Sequence, residues 1–314
     1  MASTTAPNVS NTPEMWPPLP LAEWEPTRAT LHMWMQIVGK ISLKLKPHIN
    51  HWWETALHFN AHGLTTNAMP YGDRTIEIAF DFVNHHLVIS TSDGEEKRLP
   101  LITQSVADFY RDLVNELQAL KINVPIWKMP VEIADPVPFD QDTVHHTYDR
   151  EYVARFWRVL STVAPIMGEF RGEFLGKCSP VHFFWGSFDI AVTRFSGRRA
   201  PERPGADSIT REAYSHENIS TGWWPGGGPV NGPAFYAYSA PEPVGYKTAP
   251  VRPKNAFYNR DLNEFILMYD DVRAAPDPRQ ALLDFMRSTS EAGAKYGKWD
   301  RESLEAQPRI EKAG

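Results

Sequence analysis

The chain has 314 residues, of which 42% are hydrophobic and 22% are charged, the balance of an ordinary globular protein. Its formal net charge of −6, without a basic stripe, argues against a nucleic-acid partner, and its single cysteine excludes an intramolecular disulfide. The first residues carry no secretory signal pattern, and no apolar run approaches the ~20 residues of a membrane span, so we expect a cytoplasmic protein without a membrane partner.

The first third of the chain predicts a tail, a helix and three strands. Residues 1–15 are small and polar, which is typical of a disordered tail. Apolar residues recur at helical spacing over 27–45 and predict a helix there. Alternation of apolar and polar residues over 52–63, 74–82 and 86–90 predicts three strands of an antiparallel meander.

The middle of the chain predicts two long amphipathic helices, one over 102–120 and one over 149–174. Between them, 124–134 is typical of a strand, and its two prolines place that strand at a sheet edge. The segment 135–147 is rich in proline and aspartate, which favours a connection between two parts of the fold.

The stretch 179–194 reads S-P-V-H-F-F-W-G-S-F-D-I-A-V-T-R and predicts one strand that is buried on both faces. On simple alternation His182 and Arg194 lie on one face, and Asp189 lies on the opposite face. Polar groups on a buried strand need hydrogen-bond partners, so this strand is the first place to look for a site.

In the last third, the glycine- and tryptophan-rich segment 214–228 predicts a long functional loop. Strands are predicted over 234–239 and 264–269, and a helix over 277–288. From about residue 301 we expect a fraying end.

These elements predict an α+β fold with a largely antiparallel sheet and long amphipathic helices. In each half a helix ends and an aromatic strand follows, N-H-W-W-E-T-A-L-H-F in one and S-P-V-H-F-F-W-G-S-F in the other. We therefore predict two related α+β halves, 16–140 and 141–304, packed as one unit, with a flexible tail over 305–314.

His182, His216 and Glu217 are the predicted catalytic residues. The sequence contains none of the common phosphate-binding, dinucleotide-binding or metalloprotease motifs. Two histidines with a carboxylate could serve as base and acid or bind a divalent metal, so the metal ligands are drawn from the same three residues. The simpler interpretation, a core histidine bonded to a backbone carbonyl, remains open.

Arg194, Tyr214, Trp223 and Trp224 are the predicted substrate-binding residues. An arginine can hold an anionic small molecule, and the aromatic rings would form the wall of its pocket. A second polar face, with Glu54, His58, Asn60 and His62 on the predicted strand over 52–63, is typical of a solvated sheet face. A residue of a neighbouring strand, such as Glu77, could instead complete a metal site with one of its two histidines.

Several motifs together resemble a bacterial family that is known only as a domain of unknown function. They are W-P-x-L-P, T-L-H-M-W-x-Q-I-V-G-K, N-H-W-W, H-F-F-W-G-S-F-D-x-A-V-T-R-F-S-G-R, A-Y-S-H-E and G-W-W-P-G. The resemblance extends from about Trp16 to about Leu304. It implies a cytosolic bacterial protein and brings no known reaction, cofactor or catalytic residue.

Three functions therefore stay open. The preferred hypothesis is a small-molecule enzyme with an aromatic pocket and a His/Glu site, with or without a metal. A non-catalytic binding or sensor protein would use the same pocket. A protein-interaction module would instead present its aromatic residues to a partner.

Overall fold

The computed structural model describes residues 14–306, so residues 1–13 and 307–314 of the two predicted tails lie outside the described residues. A helix is present in each of the four stretches where one was predicted. The helices are α1 (Leu21–Leu45), α2 (Val106–Ala119), α3 (Arg150–Gly172), α4 (Ser208–Ala213), α5 (Tyr269–Arg273), α6 (Pro278–Tyr296) and α7 (Arg301–Leu304). None of the helices in this part of the chain is long and apolar enough to cross a membrane.

Side-chain caps fix where three of these helices begin. Ser105 accepts a hydrogen bond from the Asp108 amide at the start of α2, which therefore begins later than predicted. Asp149 caps α3 and Asp277 caps α6 in the same way. Helix α1 begins at Leu21 rather than at 27, with Pro26 inside it.

The strands form two separate antiparallel sheets, which gives the chain its α+β class. The first sheet contains β1 (His58–Phe59), β2 (Gly63–Thr65), β3 (Met69–Tyr71), β4 (Arg74–Asp81), β5 (His86–Thr91) and β6 (Glu96–Pro100), and the second contains β7 (His182–Phe184), β8 (Asp189–Arg199), β9 (His216–Trp224), β10 (Ala234–Ala240), β11 (Phe257–Asn259) and β12 (Glu264–Met268). The order in the first sheet is β1-β2-β4-β5-β6, with β3 also on β4. The order in the second is β11-β12-β10-β9-β8-β7.

The stretch 179–194 is a hairpin, so the prediction of one continuous strand was wrong. The chain reverses between β7 and β8, where Phe188 adopts a left-handed φ of 59°. Antiparallel pairing sets His182 opposite Ala191 and Phe184 opposite Asp189. His182 and Asp189 therefore share one face of the second sheet, and Arg194 lies on the other face.

Residues 52–63 do not form the single strand that their alternation predicted. Asn50–Thr55 is a 3₁₀ turn, and the strand β1 is confined to His58–Phe59. His51 and Trp52 inside the turn have φ values of 67° and 61°, a left-handed conformation that is uncommon for such side chains. The turn brings the rings of His51 and Trp53 against Phe195 of the second sheet.

The predicted edge strand over 124–134 is irregular backbone. Its two prolines have no backbone N–H to donate to a neighbouring strand. The backbone of Val131 bonds instead to the side-chain amide of Gln36. Gln36 donates to the Val131 carbonyl at 2.9 Å and accepts from the Val131 amide at 2.8 Å. The segment is therefore attached to α1 and not to a sheet.

The main hydrophobic core extends over both sheets, from Leu19 to Ala292, and two smaller clusters lie outside it. The sheets also meet directly, because Leu57 and Phe183 exchange two backbone hydrogen bonds of 2.9 Å. The predicted fraying from 301 is wrong for the described residues up to 306. There α7 is followed by a bridge between Glu305 and Phe174.

Candidate functional site

The segment 214–228, predicted as a loop, is mostly the central strand β9, which pairs with both β8 and β10. Its glycines suggested a loop, but Gly222 lies inside the ladder, opposite Tyr236. His216 and Glu217 are neighbours on β9, and successive strand residues point to opposite faces. The two side chains therefore cannot act on the same atom of a ligand.

The contacts of the predicted catalytic residues confirm that they lie in different environments. Glu217 forms an ion pair of 2.6 Å with Arg198 and borders a small cavity of about 200 Å³. His216 lies on the other face, where its ring is 5.9 Å from the ring of His51. Aromatic contacts lead from His51 to Trp53 and from Trp53 to His182, so His216 and His182 belong to a row of rings rather than to one catalytic pair.

Arg194 does not face a ligand cavity. Its guanidinium lies 3.5 Å from the centre of the Phe170 ring and donates to Ser290 Oγ at 3.1 Å. Burial lowers the pKa of Arg194 to about 10. The side chain connects the second sheet to α3 and α6, and it is too enclosed to hold an anionic substrate.

The three predicted wall aromatics also separate. Trp223 is fully buried in the core and is not a pocket wall. Trp224 is half-buried on the opposite face, with its ring 5.5 Å from that of Tyr236. Tyr214 shares a hydrogen bond of 3.1 Å with the hydroxyl of Tyr238, away from the lining of a second cavity.

His182 alone among the predicted site residues lines that cavity, an open cleft of about 510 Å³ between the first part of the chain and β7. We call it the His58–His182 cleft. Its polar lining residues are Lys46, Glu54, His58, Asn67 and His182. In the sequence, alternation favours a solvated face for Glu54 and His58, and Lys46 is not among the predicted site residues.

The two histidines contact each other in the lining of the cleft. Their rings are 5.1 Å apart and perpendicular, and the Trp53 ring lies 6.1 Å from His182. His182 is only 1% exposed, and its Nδ1 has no hydrogen-bond partner among residues 14–306. Burial, with the charges of His58 and Lys46, lowers the pKa of His182 to about 3, so this imidazole is neutral at physiological pH.

Lys46 brings a positive charge to the same cleft. Its ammonium group donates to the Thr66 carbonyl oxygen, and no carboxylate of the described residues lies within ion-pairing distance. Burial lowers the pKa of Lys46, while the nearby Glu54 and Glu77 raise it. Lys46 and Glu54 in turn connect the cleft to the end of α1 and to the 3₁₀ turn.

Glu54 is buried, and both of its oxygens are occupied. Oε1 lies 2.9 Å from His48 Nδ1, and Oε2 accepts the Ile49 amide at 3.0 Å. The other ring nitrogen of His48 lies 2.9 Å from Glu212 Oε1 at the end of α4. An imidazole can donate to two carboxylates only when it is protonated, so the geometry identifies His48 as a cation that bridges the turn and α4.

The His48 bridge predicts a pH-dependent contribution to stability. The hydrogen bonds that His48 donates to the carboxylates of Glu54 and Glu212 raise the pKa of His48 above its ordinary value of 6.5. A group with a raised folded-state pKa stabilises the fold fully below its unfolded pKa, and this stabilisation is lost as pH rises through the folded pKa. The native chain should therefore have a higher Tm than the His48→Ala variant. This difference in Tm should be largest near about pH 5.5 and smallest near about pH 9.

Thermal unfolding of both proteins across that pH range measures the effect. The control is His146→Ala, which removes an exposed histidine whose ring bonds only to the Val144 carbonyl. A Tm difference for His48→Ala that stays constant with pH would contradict the charged bridge.

No group of three or more His, Cys, Asp or Glu side chains in the part of the chain that the structure describes is arranged to hold a metal ion. The predicted ligands His182, His216 and Glu217 are separated for the reasons given above. The lining of the cleft itself presents two imidazole rings, an ammonium group and an indole ring.

Together the helices, the two antiparallel sheets and the shared core define an α+β protein. The chain belongs to the family of unknown function DUF5996, whose model matches residues 16–306. No curated protein matches the chain, and no solved structure matches it.

Proposed function

We propose that the chain binds a small organic molecule in the His58–His182 cleft. The observation that carries this proposal is His182, a buried polar ring that lines an open cleft while its Nδ1 lacks a partner in residues 14–306. A buried polar group without a hydrogen bond costs about 1–3 kcal/mol, and a ligand atom that reaches this nitrogen would recover part of this cost. A volume of about 510 Å³ also lies in the range of small-molecule sites.

Binding fits His182 better than proton transfer does. A general base works best when its pKa is near the operating pH, and burial lowers the pKa of His182 to about 3. A neutral imidazole instead offers one donor and one acceptor of fixed geometry. His182 is therefore assigned a role in ligand recognition.

An enzyme that uses His58 is the second candidate. His58 lines the same cleft and is more exposed than His182, so a ligand can reach it. Burial and the charge of Lys46 lower the pKa of His58, which keeps a basic nitrogen unprotonated. Once a ligand is known, His58→Gln should abolish any turnover while binding weakens by less than about threefold if this candidate is right.

Blocking the cleft tests the proposed function. Ala68 is exposed on the rim of the cleft, so Ala68→Trp should fill the opening without removing a core contact. Saturation-transfer NMR with benzamide as the probe should show binding to the native chain and a loss of more than about tenfold in Ala68→Trp.

The matched control is Ala61→Trp, which adds the same ring at an exposed position outside the cleft lining. It should bind benzamide as the native chain does. Equal binding by both tryptophan variants would place the probe elsewhere and would count against the cleft.

A further inference from the structure

We propose, building on the proposed function, that the natural ligand of the His58–His182 cleft is an aromatic carboxylate. Lys46 would pair with its carboxylate group, Trp53 would contact its ring, and the two neutral histidines would bind its remaining polar atoms. The charge, the hydrogen-bonding groups and the apolar residues of the cleft lining all favour this class of ligand.

Lys46 is the cation of the cleft lining, and its hydrogen bond goes to a carbonyl oxygen rather than to a carboxylate. The lining carboxylate, Glu54, already has both oxygens occupied by His48 and by the Ile49 amide. An incoming anion would therefore gain a charge-assisted hydrogen bond to Lys46 without displacing an existing ion pair.

A carboxylate fits this lining better than a phosphate does. Phosphate sites usually combine arginine forks or several backbone amides at a helix N-terminus. The described cleft has one ammonium group and no arginine, and it lies beside the C-terminal end of α1. One ammonium and neutral imidazole donors can match the charge of a monocarboxylate.

The remaining lining is apolar, and the Trp53 ring within it favours an aromatic body. Besides Trp53 it consists of Pro47, Ile49, Ala68, Pro70 and Pro180. The Trp53 ring also packs against the Phe195 ring, with 6.0 Å between the ring centres. The Lys177 ammonium group lies 5.4 Å from the centre of the Trp53 ring. A preorganised aromatic wall of this kind loses little side-chain freedom when a planar ligand binds.

Fluorine NMR with two matched probes tests the inference. The probes are para-trifluoromethylbenzoate and its neutral analogue para-trifluoromethylbenzamide. We expect the native chain to bind the benzoate about tenfold more tightly, because a charge-assisted hydrogen bond is stronger than a neutral one. Lys46→Met should abolish this preference for the benzoate. Lys44→Met, at an exposed position in the last turn of α1, should retain it.

The possible failures are distinguishable. Equal affinity of the native chain for both probes, or a benzoate preference that survives Lys46→Met, would overturn the carboxylate assignment and leave the binding cleft intact. If neither probe binds, the aromatic-ligand cleft itself is wrong, and the inference falls with it. Circular dichroism of both lysine variants checks that each is folded.

Discussion

We expect Phe156→Ala to lower the free energy of unfolding by about 3–5 kcal/mol, the loss that is typical when a buried phenylalanine is truncated to alanine. Phe156 lies on α3 and is fully buried. Its ring contacts aromatic rings from both halves of the chain. These rings are Trp24 at 5.4 Å, Phe82 at 6.2 Å, Phe183 at 6.2 Å, Phe188 at 5.3 Å and Trp223 at 6.1 Å.

Because those rings belong to one continuous core, the variant should still unfold in a single transition. Urea unfolding followed by tryptophan fluorescence and by circular dichroism would measure both the midpoint and the coincidence of the two signals. Ser161→Ala, an exposed change on the same helix, should alter stability by less than about 0.5 kcal/mol. Two separate transitions, only one of them shifted by Phe156→Ala, would indicate halves that fold independently.

The helices could be predicted from the sequence because their signals are local. Apolar residues at helical spacing mark the buried side of α2 and α3, and a capping side chain stands directly before each of them. The strands β4 and β5 were predicted for a similar reason, since Ile76 and Ile78 alternate with more exposed residues. The relation between the two halves is not decided by these local patterns and stays a prediction.

The hairpin β7–β8 shows where such patterns stop being informative. Nearly every residue of 179–194 is apolar or buried, so there is no alternation that could reveal a reversal of the chain. The turn depends on Phe188 in a left-handed conformation, which a phenylalanine does not signal. A single strand would place Arg194 on the face of His182 and Asp189 on the opposite face. In the hairpin these two faces are exchanged, so the expected pocket is reversed as well.

The cleft was missed for a different reason. Its lining comes from 46–70 and from 180–182, which are brought together by the pairing of Leu57 with Phe183. The motif N-H-W-W was noticed, but its alternation imitated a strand. In the structure its left-handed residues His51 and Trp52 place Trp53 and Glu54 in the cleft wall. Contacts between residues this far apart in sequence cannot be derived from one sequence.

The second large effect is expected at Gly222, in the middle of the second sheet. A Cβ atom at this position would lie 2.4 Å from the Tyr236 ring and hydroxyl and 2.5 Å from the Ile190 carbonyl oxygen. Tyr236 covers the glycine so that its hydroxyl can donate to Asp189, a buried carboxyl group whose pKa is raised by burial. Gly222 is therefore required for packing, since its φ is not left-handed.

We expect Gly222→Ala to lower the free energy of unfolding by about 2–5 kcal/mol, because overpacking adds to the loss of the Tyr236–Asp189 hydrogen bond. Tyr236→Phe removes only that hydrogen bond and should cost about 1–3 kcal/mol. Gly168→Ala is the control, because a Cβ there meets no atom within 4 Å and should stabilise α3 by up to about 1 kcal/mol. Urea unfolding of the three variants measures their free energies of unfolding. If Gly222→Ala is at least as stable as Tyr236→Phe, the sheet absorbs the added methyl group. The backbone carbonyl of Ile190 belongs to the neighbouring strand and cannot move away without disturbing the pairing of β8 with β9, so the larger loss is the expected result.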